Sequence, residues 1–327
     1  MPWFCLTLGK QSSSFKMLKA IAFCLFLGFS STSYAVDGVT ILLSEEGGAY
    51  GEFAIDLSNV LTQSNSNRPV IKIIALSKLN NDDLPRSGNN QLLIAVGTSA
   101  MLAMAQKPPA IPVLNVLVPQ SSFLKAIKQN NRPLDTRRFS AIFVDQSWSR
   151  QFGLINVSMP SHPRVGILLG KESVEIIPAL QSAAKESDIV LNIETVSEDA
   201  DLLNALRKLL TISDAILAVP DARIYNRNNI SSILLTSYRQ QIPLFGFSAS
   251  YVKAGALAAV YSLPNQISQQ VAEIIANLPS SGNLPAPQFP KYFSVTTNLQ
   301  VARSLNIWVA PEPELQYKLK HLTEHAQ

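Results

Sequence analysis

Short apolar runs rich in β-branched residues alternate along this chain with longer stretches of helical period, and no other feature constrains the fold as much. This is the sequence form of repeated βαβ units on a parallel sheet. Val39 to Leu43, Val70 to Ala75, Leu92 to Val96 and Val113 to Leu117 read as strands, with helices at Tyr50 to Gln63 and Thr98 to Gln106. After Ala141 to Val144 and a helix from Ser147 to Ile155, Pro160 and Pro163 punctuate the chain, and a second series begins. Its strands are Val165 to Leu169, Ile189 to Glu194, Ala215 to Val219 and Pro243 to Phe247. Its helices are Val174 to Lys185, Ser197 to Leu210 and Ile230 to Arg239. In the second of these, Leu202, Leu203, Leu206, Leu209 and Leu210 form one buried stripe, and Glu198 and Asp199 suit the positive end.

Two such series predict an α/β protein of two Rossmann-like lobes, each a parallel sheet flanked by helices. The 47% hydrophobic content supports a large interior, and a chain of this length exceeds what one core usually holds. The expected division is a signal peptide over 1–35, a first lobe over 36–138, a second over 139–249, a return to the first lobe with a crossing over 250–297, and a C-terminal helix with a polar tail over 298–327. Gln120 to Arg138 lacks clear period and reads as a connection between lobes. Leu278 to Pro290 reads as a surface crossing, Tyr292 to Thr296 as a returning strand and Asn298 to Leu305 as a short helix. The tail beyond Pro311 is expected to pack loosely.

The first 35 residues have the layout of a secretory signal: basic Lys10, Lys16 and Lys19, the apolar run Ala20 to Phe29, then Ser33-Tyr34-Ala35. Cleavage is expected after Ala35, and Met17 is a second candidate start. The leader holds three lysines and no acid, so its loss takes Lys+Arg from 27 to 24 against 23 Asp+Glu. The remainder is close to neutral, which removes the case for nucleic acid that the whole-chain pI near 9.0 would make. Both cysteines, Cys5 and Cys24, also fall in the leader. That excludes disulfides, thiolate catalysis and cysteine metal sites from the remainder. An exported soluble chain retained near its cell points to a Gram-negative periplasm.

Reactive groups are sparse. The three histidines are His162, His321 and His325, no Ser-His-Asp set is visible, and neither common Gly-rich phosphate loop occurs. No catalytic residue, metal ligand or cofactor is therefore assigned.

In open parallel sheets, ligands lie beyond the carboxyl ends of the strands, so the loops there carry the functional reading. Ser44 to Tyr50 has paired glycines and a tyrosine, read either as a ligand loop or as a tight turn with a helix cap. Thr98 and Ser99 open a helix, to hold a carboxylate or to serve as N-caps. In the stretch from Pro220 to Asn226, Asp221 either receives an ammonium or caps the next element and pairs with Arg223, and Tyr225 can stack on a solute. Phe245 to Leu257 mixes aromatics, hydroxyls and small residues, Ser248 among them, as a cleft wall does. The ligand-binding candidates are thus Tyr50, Thr98, Ser99, Asp221, Tyr225 and Ser248.

The order of Arg164-Val165-Gly166-Ile167-Leu168, the Pro220-Asp221 turn with Tyr225-Asn226, Ile242-Pro243-Leu244-Phe245-Gly246, Val252-Lys253-Ala254-Gly255-Ala256-Leu257-Ala258 and the closing Asn298, Ala302, Leu305 and Ile307 resembles the tryptophan/tyrosine-type family of ABC-transporter substrate-binding proteins. The resemblance implies a type I periplasmic-binding fold: two lobes joined by three crossings with the solute between them. It implies that loops matching Gly97 to Ser99, Pro220 to Tyr225 and Ser248 to Gly255 face the cleft, and that the ligand is an amino acid or related carboxylate. The sequence departs from the family pattern at Arg137 to Ile142 and around Leu79 to Asn90. The expected partners are a small-molecule ligand and an inner-membrane permease, not nucleic acid, and the expected state is a monomer. Two rivals are a periplasmic sensor module docking on a histidine kinase or envelope assembly, and an exported enzyme using Asp145 or Asp221.

Overall fold

The computed structural model describes residues 36–63, 68–80, 83–84, 90–131, 137–279 and 281–324. The expected signal peptide and His325 lie outside them. The first sheet holds β1 (Gly38–Leu43), β2 (Val70–Ala75), β3 (Gln91–Val96), β4 (Val113–Val118) and β5 (Phe139–Phe143), in the order β2-β1-β3-β4-β5. All its pairings are parallel, with Gly38 of β1 opposite Val70 on one side and Gln91 on the other. Parallel strands are covered on both faces, and every residue of β1, β4 and β5 is buried. Edge strand β2 instead leaves Val70, Lys72 and Ile73 exposed.

The second sheet holds β6 (Arg164–Gly170), β7 (Val190–Val196), β8 (Ala215–Leu217), β9 (Leu244–Gly246), β10 (Ala258–Tyr261) and β11 (Ser294–Thr297), in the order β11-β10-β9-β8-β6-β7. Only β11 is antiparallel. The helices are α1 (Gly48–Gln63), α2 (Thr98–Gln106), α3 (Gln120–Gln129), α4 (Trp148–Ser158), α5 (Ile177–Glu186), α6 (Leu202–Leu210), α7 (Ile230–Arg239), α8 (Ala249–Ala254), α9 (Pro264–Ala276), α10 (Leu299–Ser304) and α11 (Glu312–Glu324).

Two helices pack in the lobe opposite to the strand that precedes them. Helix α4 follows β5 of the first sheet, yet Phe152, Leu154 and Ile155 join the core of the second lobe with Leu315 and Leu319 of α11. Helix α9 follows β10 of the second sheet, yet Ile267, Val271 and Ile275 pack in the first lobe with Phe53, Ala54, Leu57 and Leu61 of α1. These three recur every four residues, which is one helix face, and burying each contributes about 1.5–3 kcal/mol. The chain therefore passes between lobes at residues 144–147, 262–263 and 289–293.

The expected divisions shift accordingly. β5 pairs with β4, so the first lobe runs past 138 through Phe143. Helix α8 and strand β10 stay with the second lobe beyond 249, only the α9 segment and the loop after it return, and β11, α10 and α11 complete the second lobe. Gln120 to Arg138 is not a bare connection: α3 occupies its first part and buries Phe123, Ala126 and Ile127. The tail is helical and packed, with Leu315 and Leu319 fully buried and Leu319 against Gly153 of α4.

Candidate functional site

Each sheet has one point where its strand order reverses, between β1 and β3 in the first lobe and between β6 and β8 in the second. In open α/β sheets that point, at the strand carboxyl ends, is where ligands gather. In the first lobe Ser44 bridges it: the hydroxyl donates to the Val96 carbonyl (2.8 Å) and accepts from the Ala100 N–H (2.9 Å). Gly97 lies beneath Tyr50, with φ +85°, and a Cβ there would fall 2.6 Å from Tyr50 Cζ. Thr98 is half-buried and Ser99 exposed. Gly97 is the N-cap of α2, so neither hydroxyl takes the capping position. Burial, then the Glu45 charge, push the Tyr50 phenol above its ordinary pKa.

In the second lobe the bridge is a carboxylate. Asp221 is buried, and its Oδ2 accepts from the Gly170 N–H (2.7 Å) while Oδ1 accepts from the N–H groups of Arg223 (3.0 Å) and Ile224 (3.2 Å). The carboxylate thus builds the loop after β8 and ties it to the end of β6. Tyr225 is buried too, and its hydroxyl sits beside the Leu168 backbone without a hydrogen bond of normal geometry. Burial pushes that phenol far up. The Tyr251 hydroxyl donates to the Tyr225 carbonyl (2.7 Å), and its ring packs 4.4 Å from Phe247. Burial raises the Tyr251 pKa to about 12. Ser248 is the N-cap of α8, half-buried and without a capping bond.

Between the lobes lies a cavity of about 330 Å³. Its first-lobe wall is the start of α3, with Gln120, Ser121, Ser122 and Lys125. The bulge at Leu117 (φ +54°) sets Val118 against Phe143 and leaves Pro119 as the N-cap of that helix. The second-lobe wall is the loop after β6, with Glu172, Ser173 and Glu175, and the loop after β8 at Val219, Pro220 and Ala222. Asp145, Gln146, Trp148 and Phe289, from the segments that join the lobes, complete it. Burial raises the Asp145 pKa, against the lowering effect of the Gln120 N–H it accepts at 2.5 Å. A larger groove, about 590 Å³, runs along α9 beside the start of β5, away from the strand carboxyl ends.

None of the six candidates chosen from sequence lines the interlobe cavity. Tyr225 lines a neighbouring groove of about 410 Å³ with Arg227, Ser250 and Tyr251. The strand-end rule, applied to the loops after β4 and β6 as it was to those after β3 and β8, marks Ser121, Ser122, Glu172 and Ser173. Asp145 and Trp148 lie just beyond the carboxyl end of β5, where the same rule applies, whereas Phe289 enters through the third crossing, for which no strand-end signal exists. Among the described residues no cluster of His, Cys, Asp and Glu is arranged to hold a metal, and no helix is long and apolar enough to cross a membrane.

Two sheets with this strand order, joined by three crossings around a cavity, define the two-lobed type I periplasmic-binding fold. The chain belongs to the ABC-transporter substrate-binding protein family, whose model matches residues 21–312. No curated protein sequence matches it. Among solved structures, a ligand-free, open substrate-binding protein with adhesive properties from Clostridium difficile aligns at TM-score 0.65 and 15% identity, over 84% of this chain and 96% of its own. An ABC domain from Streptococcus pneumoniae in complex with L-Trp aligns at TM-score 0.55 and 14% identity, over 86% and 98%. A conserved domain protein from Vibrio cholerae aligns at 0.57 and 19%, over 86% and 98%. At these identities the likeness carries the fold alone. Family and fold are those of binding proteins rather than enzymes, and membership implies a small-molecule ligand and a membrane permease as partner.

Proposed function

We propose that this chain is the periplasmic solute-binding component of an ABC importer, exported through a cleavable signal peptide, and that it holds an amino acid or related carboxylate between its lobes. The observation that carries the reading is the interlobe cavity, whose walls come from both lobes and from the crossings. Lys125 stands on one wall and Glu172 with Glu175 on the other, so the cavity offers opposite charges to a zwitterion. Trp148 and Phe289 offer flat apolar surface to its body. That the pneumococcal protein of this fold was solved with L-Trp is consistent with such a ligand.

In this reading the lobes close on the solute by a hinge motion, and binding must favour the closed form to shift the population. Tyr50, Thr98, Ser99 and Ser248 are proposed as contacts completed on closure, with Asp221 and Tyr225 shaping the loop behind them. The protein works as a monomer. Thermal-shift screening of the mature chain against amino acids, peptides and sugars tests the proposal, because a cleft ligand stabilises the folded state by mass action. An amino acid is expected to raise the melting temperature, and Lys125→Ala to weaken that ligand about tenfold or more, a loss of ~1.4 kcal/mol. A chain shifted by no member of the screen, or a hit indifferent to Lys125→Ala and Glu172→Gln alike, overturns it.

A further inference from the structure

Arg150 of α4 is 7% exposed, has no ion-pair partner among the described residues, and leaves its Nε without a hydrogen bond. Burying a cation in this way is unfavourable, and an apolar side chain of similar volume would fill the space without that cost. Burial pulls its pKa down to about 10. What the guanidinium does supply is geometry. Its Nη1 donates to Gln146 Oε1 (2.6 Å) and to the Pro290 carbonyl (2.8 Å), and its Cζ lies over the Phe293 ring, 4.3 Å from the ring centre. Gln146 Nε2 donates in turn to Ser262 Oγ (2.8 Å), and that hydroxyl donates to the Tyr292 carbonyl (2.6 Å).

Each passage between the lobes contributes to this network: Gln146 from the first, Ser262 from the second, Pro290 and Tyr292 from the third. We infer that Arg150 and Gln146 form a clamp that locks the three passages into one hinge, about which the lobes turn as rigid bodies. Gln146 also lines the interlobe cavity, within reach of whatever fills it. Arg150 does not line it, and is a positioning residue that acts through Gln146 and the third passage. The clamp deepens the proposed function but is a property of the free chain. Its test is run without solute, so a clamp can be found in a chain that binds nothing, and can be missing from one that binds.

The experiment compares the mature chain with its Arg150→Met, Arg150→Lys and Ser262→Ala variants by hydrogen exchange and small-angle X-ray scattering. Arg150→Met is expected to speed exchange at 262–263 and 289–293 by about tenfold or more, leaving β1 and β6 unchanged. It should also broaden the distribution of molecular dimensions, while the melting temperature holds or rises. Arg150→Lys, a point donor in place of a planar fork, should fall between the two. Ser262→Ala cuts the second passage from both the first and the third without touching a charge, and is expected to speed exchange at 262–263 and 289–293. It keeps the inference testable should Arg150→Met fail to fold. Unchanged exchange and scattering in the variants that fold, or exchange that rises evenly through the second lobe with a fall in melting temperature, overturns the clamp.

Discussion

The two lobes repeat one strand order but close their reversal points with different chemistry. In the first, a neutral hydroxyl, Ser44, joins β3 to α2, and a glycine lets the Tyr50 ring lie directly on the backbone. In the second, the buried Asp221 carboxylate gathers three N–H groups, one from the end of β6 and two from the loop after β8. One junction rests on shape and the other on charge. The difference teaches that a shared topology fixes where polar groups must be satisfied but not which group does it, so the lobes should fail in different ways.

The largest expected effect is at Asp221. Replacement by Ala leaves two buried donors and one part-buried donor unserved, and a loss of about 3 kcal/mol is expected in urea unfolding, since bonds to a charged group are worth more than neutral ones. Asp221→Asn should recover only part of it. A loss of under about 1 kcal/mol would erase the contrast, because charge would then not be what holds the second junction. Next comes Gly97→Ala, at about 2 kcal/mol from a positive φ and overlap with Tyr50. Pairing it with Tyr50→Ala should recover the overlap share and leave the backbone share, which separates the two causes. Ser44→Ala should cost about 1 kcal/mol, the modest net value of exchanging neutral hydrogen bonds.

The smallest effect concerns pH, and falls on neither lobe but on the segment joining them. Asp145 has a raised pKa, so the folded state binds its proton more tightly than the unfolded state does. Its contribution is therefore most favourable in acid, and fades as pH rises from the ordinary aspartate range through the raised folded value. Asp145→Asn should flatten that part of the stability–pH curve. An unchanged slope would place the pH dependence elsewhere.

How much of this was legible in the sequence differs by element. The strands Val39 to Leu43 and Val165 to Leu169 were readable because buried parallel strands are near-continuous runs rich in Val, Ile and Leu. Helix α3 was not, since buried Phe123, Ala126 and Ile127 stand with exposed Leu124 among Gln, Ser and Lys, too short a pattern to show a period. Strand β10, Ala258–Tyr261, hides because alanine favours no strand, and its place is set by pairing with β9 and β11. The cavity followed the same logic. Most of its wall, Asp145 and Trp148 included, sits at strand ends that the rule covers, whereas Phe289 joins it only because the chain passes back between the lobes after α9. Asp221 was placed at its loop from sequence, but its bond to the N–H of Gly170, 51 residues away, leaves no local signal.

The exchange of α4 and α9 between lobes also governs the order in which the molecule can be made. Until residues 264–276 have left the ribosome, Phe53, Leu57 and Leu61 have no lid, so the nascent first half remains sticky until α9 emerges. Neither half can be cut out as a contiguous gene segment without exposing the surface that its exchanged helix covers. A domain-swapped dimer, each copy lending its α9 to the other, is the misassembly this architecture invites.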